Sequence, residues 1–190
     1  MAGQDRVTGS AGNFLQSAQV AAKEGKRGAP PVHLWNPPFC GDIDIVIKRD
    51  GTWIHEGTPI GRQGLVKLFA SILKKEGEEH FLVTPVEKVR LQVEDAPFVA
   101  VDFDVADGVI TFRTNVDDLV GAGPDAPIRV EFSDEGEPSP YVEVRRGLQA
   151  LIDRKSFYRL VELGEERDGQ FGVESKCTFF PIIDADALSD

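Results

Sequence analysis

Ile60-Gly61-Arg62-Gln63-Gly64-Leu65-Val66-Lys67-Leu68-Phe69 recurs in pattern as Ile152-Asp153-Arg154-Lys155-Ser156-Phe157-Tyr158-Arg159-Leu160-Val161, 92 residues further on. Both read Ile-x-Arg-x-x-apolar-apolar-basic-Leu-apolar. Any two amphipathic helices share their apolar positions. The arginine at the start and the basic residue five places later are not demanded by burial. Strand-like runs precede both segments. A polar loop and a short strand follow each: His80-Phe81-Leu82-Val83 in one case, Gln170-Phe171-Gly172-Val173 in the other. The expected fold is therefore α+β, with a duplicated strand–strand–helix–strand unit. A period of about 90 residues is too long for a solenoid. Two such units face to face would make the cleft between them a natural binding place.

Outward from this pattern, Ile43, Ile45 and Ile47 alternate onto one face of a strand, and Asp50-Gly51 is a hairpin turn that returns through Thr52-Trp53-Ile54-His55. Leu65, Leu68, Phe69 and Ile72 share one helical stripe, which predicts a helix from about Gly61 to Lys75 closed by Gly77. Strands are expected over Phe81–Thr84, Glu87–Val93, Phe98–Phe103, Val109–Arg113, Ile128–Phe132 and Tyr141–Val144, a helix over Ser156–Leu163, and a closing strand over Phe171–Val173. Thr114 followed by Asp117 resembles a helix start. At the other end, Ser10 is placed to cap a short Ala-rich helix from about Ala11 to Lys23, which Gly25 and Gly28 would end. The expected division is a helix and spacer over residues 1–31, a first repeat over 32–105 and a second over 106–190.

A chain of 190 residues buries roughly 70% of its extended surface and needs no staple. Cys40 and Cys177 are too few for a disulfide framework and lack metal spacing. No stretch is apolar enough to span a bilayer or to act as a signal peptide, so a cytoplasmic location without membrane association is expected. The net charge is −11, with twelve acidic residues against Arg113 and Arg129 between Glu94 and Glu137. Such a field opposes a long nucleic acid but allows a small anion gripped locally by arginine.

A longer string of residues carries a resemblance. Trp35-Asn36-Pro37, Cys40-Gly41-Asp42-Ile43-Asp44, Asp50-Gly51-Thr52-Trp53, Gly57-Thr58-Pro59-Ile60-Gly61-Arg62 and Leu65-Val66-Lys67-Leu68-Phe69 occur in that order. Leu82-Val83-Thr84-Pro85-Val86-Glu87-Lys88-Val89 and Val93-Glu94-Asp95-Ala96-Pro97-Phe98 follow. Together they resemble the bacterial family called domain of unknown function 1285, from about Trp35 to the end of the chain. The resemblance implies a duplicated fold whose C-terminal half is superficially similar to pleckstrin-homology domains. It also implies a cleft at the domain interface, a nucleotide-like ligand and a role in signal transduction. It brings no activity with it.

Several residues are candidates for chemistry, each with a structural alternative. Gly57-Thr58-Pro59-Ile60-Gly61-Arg62 opens a helix, where free N–H groups favour an anion and Arg62 adds a guanidinium fork. Alternatively Arg62 pairs with Asp42, Asp44 or Glu87. Trp53 and His55 share one strand face, which would stack on and hydrogen-bond a base or serve as a half-buried structural pair. Arg113 and Asn115 stand at a strand end, and capping accounts for Thr114 and Asp117 but not for them. His33, His55 and His80 have no helical ligand spacing, so no metal or cofactor is expected. Asp102-Phe103-Asp104 with Asp107-Gly108 is an acidic hairpin, its glycine one position late for a calcium loop. Gly121-Ala122-Gly123-Pro124 carries Pro where a dinucleotide-binding helix should open.

The leading expectation is a non-catalytic binding or sensing protein with a small anionic ligand between the repeats. Arg62 and Arg113 would meet its charges, Trp53 and His55 would stack, and Asn115, Thr84 and Glu87 would direct hydrogen bonds. Ligand-stabilised packing would be read by a protein partner. The alternatives are an adaptor binding protein or peptide through the pleckstrin-like half, and a hydrolase or transferase using Asp44 and His55 as acid and base.

Overall fold

The computed structural model describes residues 11–24 and 29–188. The expected cap at Ser10 and the helix stops at Gly25 and Gly28 lie outside them. The chain forms two compact units, Met1–Glu94 and Asp95–Asp190.

The first unit holds α1 (Ala11–Glu24), β1 (Phe39–Ile47), β2 (Trp53–His55), β3 (Thr58–Pro59), α2 (Gln63–Ser71), β4 (Leu73–Glu76), β5 (Glu79–Val83) and β6 (Lys88–Val93). Its sheet runs β3-β2-β1-β6-β5-β4, two antiparallel meanders joined at the centre by the parallel pair β1–β6. The Asp50-Gly51 turn forms as expected: Lys48 N–H donates to Thr52 C=O at 2.8 Å, and Gly51 takes φ +87°. Pairing of Ile45 with His55, Ile47 with Trp53 and Leu73 with Leu82 puts these residues on one face, because cross-strand partners point the same way. Ile45, Ile47, Trp53, Leu73 and Leu82 are buried there, together with Val66, Phe69 and Ala70 of α2. Each such side chain contributes roughly 1.5–3 kcal/mol by leaving water. The Phe14 ring of α1 lies 6.4 Å from Phe69, so α1 belongs to this unit's core.

The expected helix to Lys75 is cut short. Leu73-Lys74-Lys75-Glu76 becomes β4, and Gly77 at φ +60° belongs to the β4–β5 hairpin instead of ending a helix. The pairing of Leu73 with buried Leu82 outweighs the modest helical preference of the lysines.

The second unit contains β7 (Phe98–Ala106), β8 (Val109–Thr114), β9 (Leu119–Gly121), β10 (Ile128–Phe132), β11 (Pro138–Arg145), β12 (Leu148–Ile152), α3 (Arg154–Val161), β13 (Glu165–Arg167), β14 (Gln170–Ser175) and β15 (Thr178–Asp184). A six-stranded sheet runs β10-β11-β12-β7-β8-β9, with β12 and β7 parallel, and β13-β14-β15 form a separate antiparallel meander. β15 lies against β10, so the two sheets curl around a shared core.

The repeat is visible in this order. A meander, a helix and a second meander make up β1–β6, and the same sequence of elements makes up β10–β15. Moving α2 forward by 92 residues lands it on α3 within two residues at either end, and β4 lands on β13 at Glu165. The repeated unit is thus larger than the expected strand–strand–helix–strand, and β7–β9 form an additional meander ahead of the second copy. The boundary expected at 105/106 falls instead after Glu94, because β7 bonds to β8 and β12 of the second unit. Nor does Thr114 begin a helix. Its hydroxyl accepts from the N–H groups of Val116 and Asp118, closing a turn between β8 and β9. A capping hydroxyl and a turn hydroxyl use the same local chemistry.

Candidate functional site

The start of α2 differs from the start of α3. In α3 the N-cap is Asp153, whose carboxylate accepts the Ser156 N–H at 2.7 Å, the usual way of satisfying a first-turn donor. In α2 the N-cap is Arg62, which makes no capping hydrogen bond from its side chain, and the first turn carries no acidic residue. Arg62 is exposed and has no side-chain partner among the described residues. The expected ion pair with Asp42 is not made, since Asp42 bonds to Arg90 at 2.7 Å, and that bond lowers its pKa. Arg154, the sequence counterpart of Arg62, rests over the Tyr158 ring at 5.9 Å. A Cβ built on Gly61 or Gly64 meets nothing within 4 Å, so the entrance to α2 is open.

The remaining expected contacts of the first unit are largely occupied by the fold. Trp53 is only 2% exposed and stacks on Phe69 at 6.3 Å, so its ring is core and offers no stacking face. This corrects the expectation for Trp53. Period two shows which residues share a face but not which face is buried. His55 is half-buried on the same face. Thr84 is fully buried, and its hydroxyl accepts the Glu87 N–H at 3.0 Å to lock the turn before β6. Glu87 is half-buried, with one carboxylate oxygen sealed from solvent and unpartnered among the described residues.

Arg113 and Asn115 lie in the second unit. Arg113 is exposed and only loosely paired, with Asp102 and Asp117 each 3.8 Å away. Asn115 is committed to the backbone: its N–H donates to Val99 C=O and its Oδ1 accepts the Val99 N–H. The acidic hairpin serves the fold as well, because Asp102 pairs with Arg159, which lowers its pKa. At Gly121 and Gly123 an added Cβ would press on the Lys176 side chain, whose ammonium donates to Gly121 C=O at 3.2 Å. Those glycines make room for lysine.

An acid–base pair of Asp44 and His55 is not assembled. His55 is the cross-strand partner of Ile45 and shares its inward face, so Asp44, one residue away, projects from the opposite face. Among the described residues no group of three His, Cys, Asp or Glu side chains is gathered to hold a cation, and no helix is long and apolar enough to cross a membrane.

Sequence reasoning missed a groove of about 240 Å³ between β7 and α3, lined by Phe103, Asp104, Val105, Arg159, Glu162 and Leu163. It joins residues more than fifty positions apart, and no local pattern signals it.

Family models for this fold match nearly the whole body of the chain. Residues 30–96 match "Domain of unknown function (DUF1285), N-terminal domain", and residues 97–182 match "Protein of unknown function (DUF1285), C-terminal domain". The chain belongs to the DUF1285 family. Their junction falls within two residues of the boundary between the compact units. The crystal structure of a DUF1285 family protein from Silicibacter pomeroyi DSS-3 is similar at 54% identity and a TM-score of 0.86, covering 93% of this chain and 98% of that one. A DUF1285 family protein from Shewanella baltica OS155 is 34% identical with a TM-score of 0.52, over 63% of this chain and 91% of that one. No curated protein matches the chain.

Proposed function

We propose that this DUF1285 protein is a non-catalytic binding protein that takes a small anionic, nucleotide-like ligand with its charged group at the start of α2. The contrast between the two helices of the repeat carries the reading. Where α3 satisfies its Ser156 N–H with the Asp153 carboxylate, α2 turns the matching Leu65 N–H back onto Arg62 C=O at 2.9 Å and presents, beside a first turn without a side-chain cap, a guanidinium unpartnered among the described residues. A phosphate or carboxylate would lie against the start of α2, favoured by the positive end of the helix and gripped by Arg62 as the fork. The open space at Gly61 and Gly64 favours close approach.

Ligand binding would stabilise the folded chain, and a partner in the cytoplasm would read that change as a signal. The curled, mostly antiparallel sheet and short helix of the second unit lend some support to the pleckstrin-homology likeness, although the parallel β12–β7 pair departs from an all-antiparallel sheet; that likeness belongs to the same signalling reading.

A thermal-shift series with ATP, pyrophosphate and inorganic phosphate, with adenosine as the uncharged control, tests this. A ligand at 100 times its dissociation constant adds about 2.7 kcal/mol. At least one anion should raise the melting temperature, adenosine alone should not, and Arg62→Glu should remove the rise. A shift that survives Arg62→Glu, or none with any anion, defeats the reading.

A further inference from the structure

The groove beside β7 borders an unfinished sheet edge. β12 pairs with β7 only through Phe98, Val99 and Ala100, whereas β8 follows β7 to Ala106. Beyond Ala100 one edge of β7 therefore has no strand beside it among the described residues. The direction of its backbone groups follows from the neighbour. Ile110 donates its N–H to Ser175 Oγ at 2.9 Å, and its C=O accepts from Ala122 N–H at 2.8 Å, both on the side away from β7. Val105, paired with Ile110, is thus in a non-hydrogen-bonded pair and turns its own N–H and C=O to the open edge. Phe103, two residues earlier, points the same way, but its groups are already met by Asp102 Oδ1 at 2.9 Å and Arg159 Nη2 at 3.2 Å. The edge is plugged at Phe103 and available at Val105.

The side chains around this opening have a definite chemistry. Val105 is 52% and Leu163 48% exposed, a large apolar exposure for neighbouring residues on an acidic protein. Asp104 and Glu162 flank them, exposed and without an ion-pair partner among the described residues. The local cation, Arg159, is already paired with Asp102 and seated over the Phe103 ring at 4.6 Å. A volume of about 240 Å³ falls below the ~300–1,000 Å³ usual for small-molecule pockets. It suits one anchoring side chain of a larger partner.

We propose that the β7–α3 groove docks an extended segment of a partner protein, in which an aliphatic side chain enters between Val105 and Leu163 beside a lysine or arginine. The segment adds to the sheet edge at Val105, and its basic residue meets Asp104 and Glu162. Strand addition supplies the backbone hydrogen bonds, while the groove and its carboxylates select the sequence.

Panning a phage-displayed random heptapeptide library on the full chain, then fluorescence polarisation with the recovered peptides, tests this. The expected consensus places an aliphatic residue next to Lys or Arg. Leu163→Asp, and separately Asp104→Lys with Glu162→Lys, should each weaken binding at least tenfold with the circular dichroism spectrum and melting temperature unchanged. Failure to enrich a consensus, a consensus without a basic residue, or equal binding by both variants overturns the proposal. So does a dimer in sedimentation that Leu163→Asp dissolves, since the groove would then belong to a second copy of the chain.

Discussion

Asn115 clasps Val99 at two points, donating its backbone N–H to Val99 C=O at 2.8 Å and accepting the Val99 N–H on its Oδ1 at 3.1 Å. One residue here does what a strand would do, its main chain and its side chain together satisfying both backbone groups of a buried residue at the start of β7.

Asn115→Ala should therefore lower stability by about 1–3 kcal/mol, because it leaves a buried Val99 N–H without an acceptor. Asn115→Asp keeps an acceptor oxygen and should lose less. Urea denaturation, reading a changed midpoint at constant slope, checks both.

Trp53→Ala should cost about 3–5 kcal/mol through the cavity it leaves against Phe69. The loss should be equal with and without phosphate-bearing ligands. A ligand-dependent loss would mean that the ring takes part in binding after all.

Arg62→Asp should separate binding from stability. It installs at α2 the kind of cap that Asp153 provides at α3, so the melting temperature should rise, by a free energy of about 1 kcal/mol. The response to pyrophosphate should vanish. Asp153→Ala should be destabilising by a similar amount.

Acid should weaken the first unit through His80. Burial, aided by nearby Lys75, lowers its pKa from 6.5 to about 4. Between those values the unfolded chain takes up a proton that the folded chain refuses. Stability is thus full above about pH 6.5 and falls as pH drops toward 4, by at most about 1.4 kcal/mol per unit. Denaturant midpoints for the native chain and His80→Gln should converge as pH is lowered through this window.

Gly172→Ala should be among the most damaging small substitutions. An added Cβ would lie 2.2 Å from the Phe180 carbonyl oxygen, a backbone atom that cannot swing aside. A loss of about 3 kcal/mol is expected, visible as reduced soluble yield and an earlier thermal transition.

Much of the fold was written locally. The Ile45 and Ile47 alternation and the Asp50-Gly51 turn specify the first hairpin by themselves, and the 92-residue recurrence locates both helices. What failed was the choice between two local readings of one stretch. Leu73–Glu76 continues a helical stripe as readily as it begins a strand, and only its pairing with Glu79–Leu82 decides. Short, Leu-rich β12 and Phe-rich β15 went unread for a related reason: short apolar runs carry no period, and Pro181 interrupts the second. At the candidate site, Arg62 was legible as an arginine at a helix entrance. That Trp53 faces inward, that Asn115 serves Val99, and that Val105 and Leu163 line one groove are facts of tertiary placement. No spacing along the chain encodes them.

The buried Ser175 hydroxyl, bound to Ile110 N–H and to Ala122 C=O, ties the end of β14 to a meander made more than fifty residues earlier. On the ribosome this sets an order of maturation. The first unit contains every strand of its own sheet by Val93 and can close while synthesis continues, whereas β8 and β9 wait with a bare edge until the chain past Ser175 emerges. A force-sensitive arrest peptide moved along the nascent chain should register two separate pulling events, the later one only after β15 has left the exit tunnel.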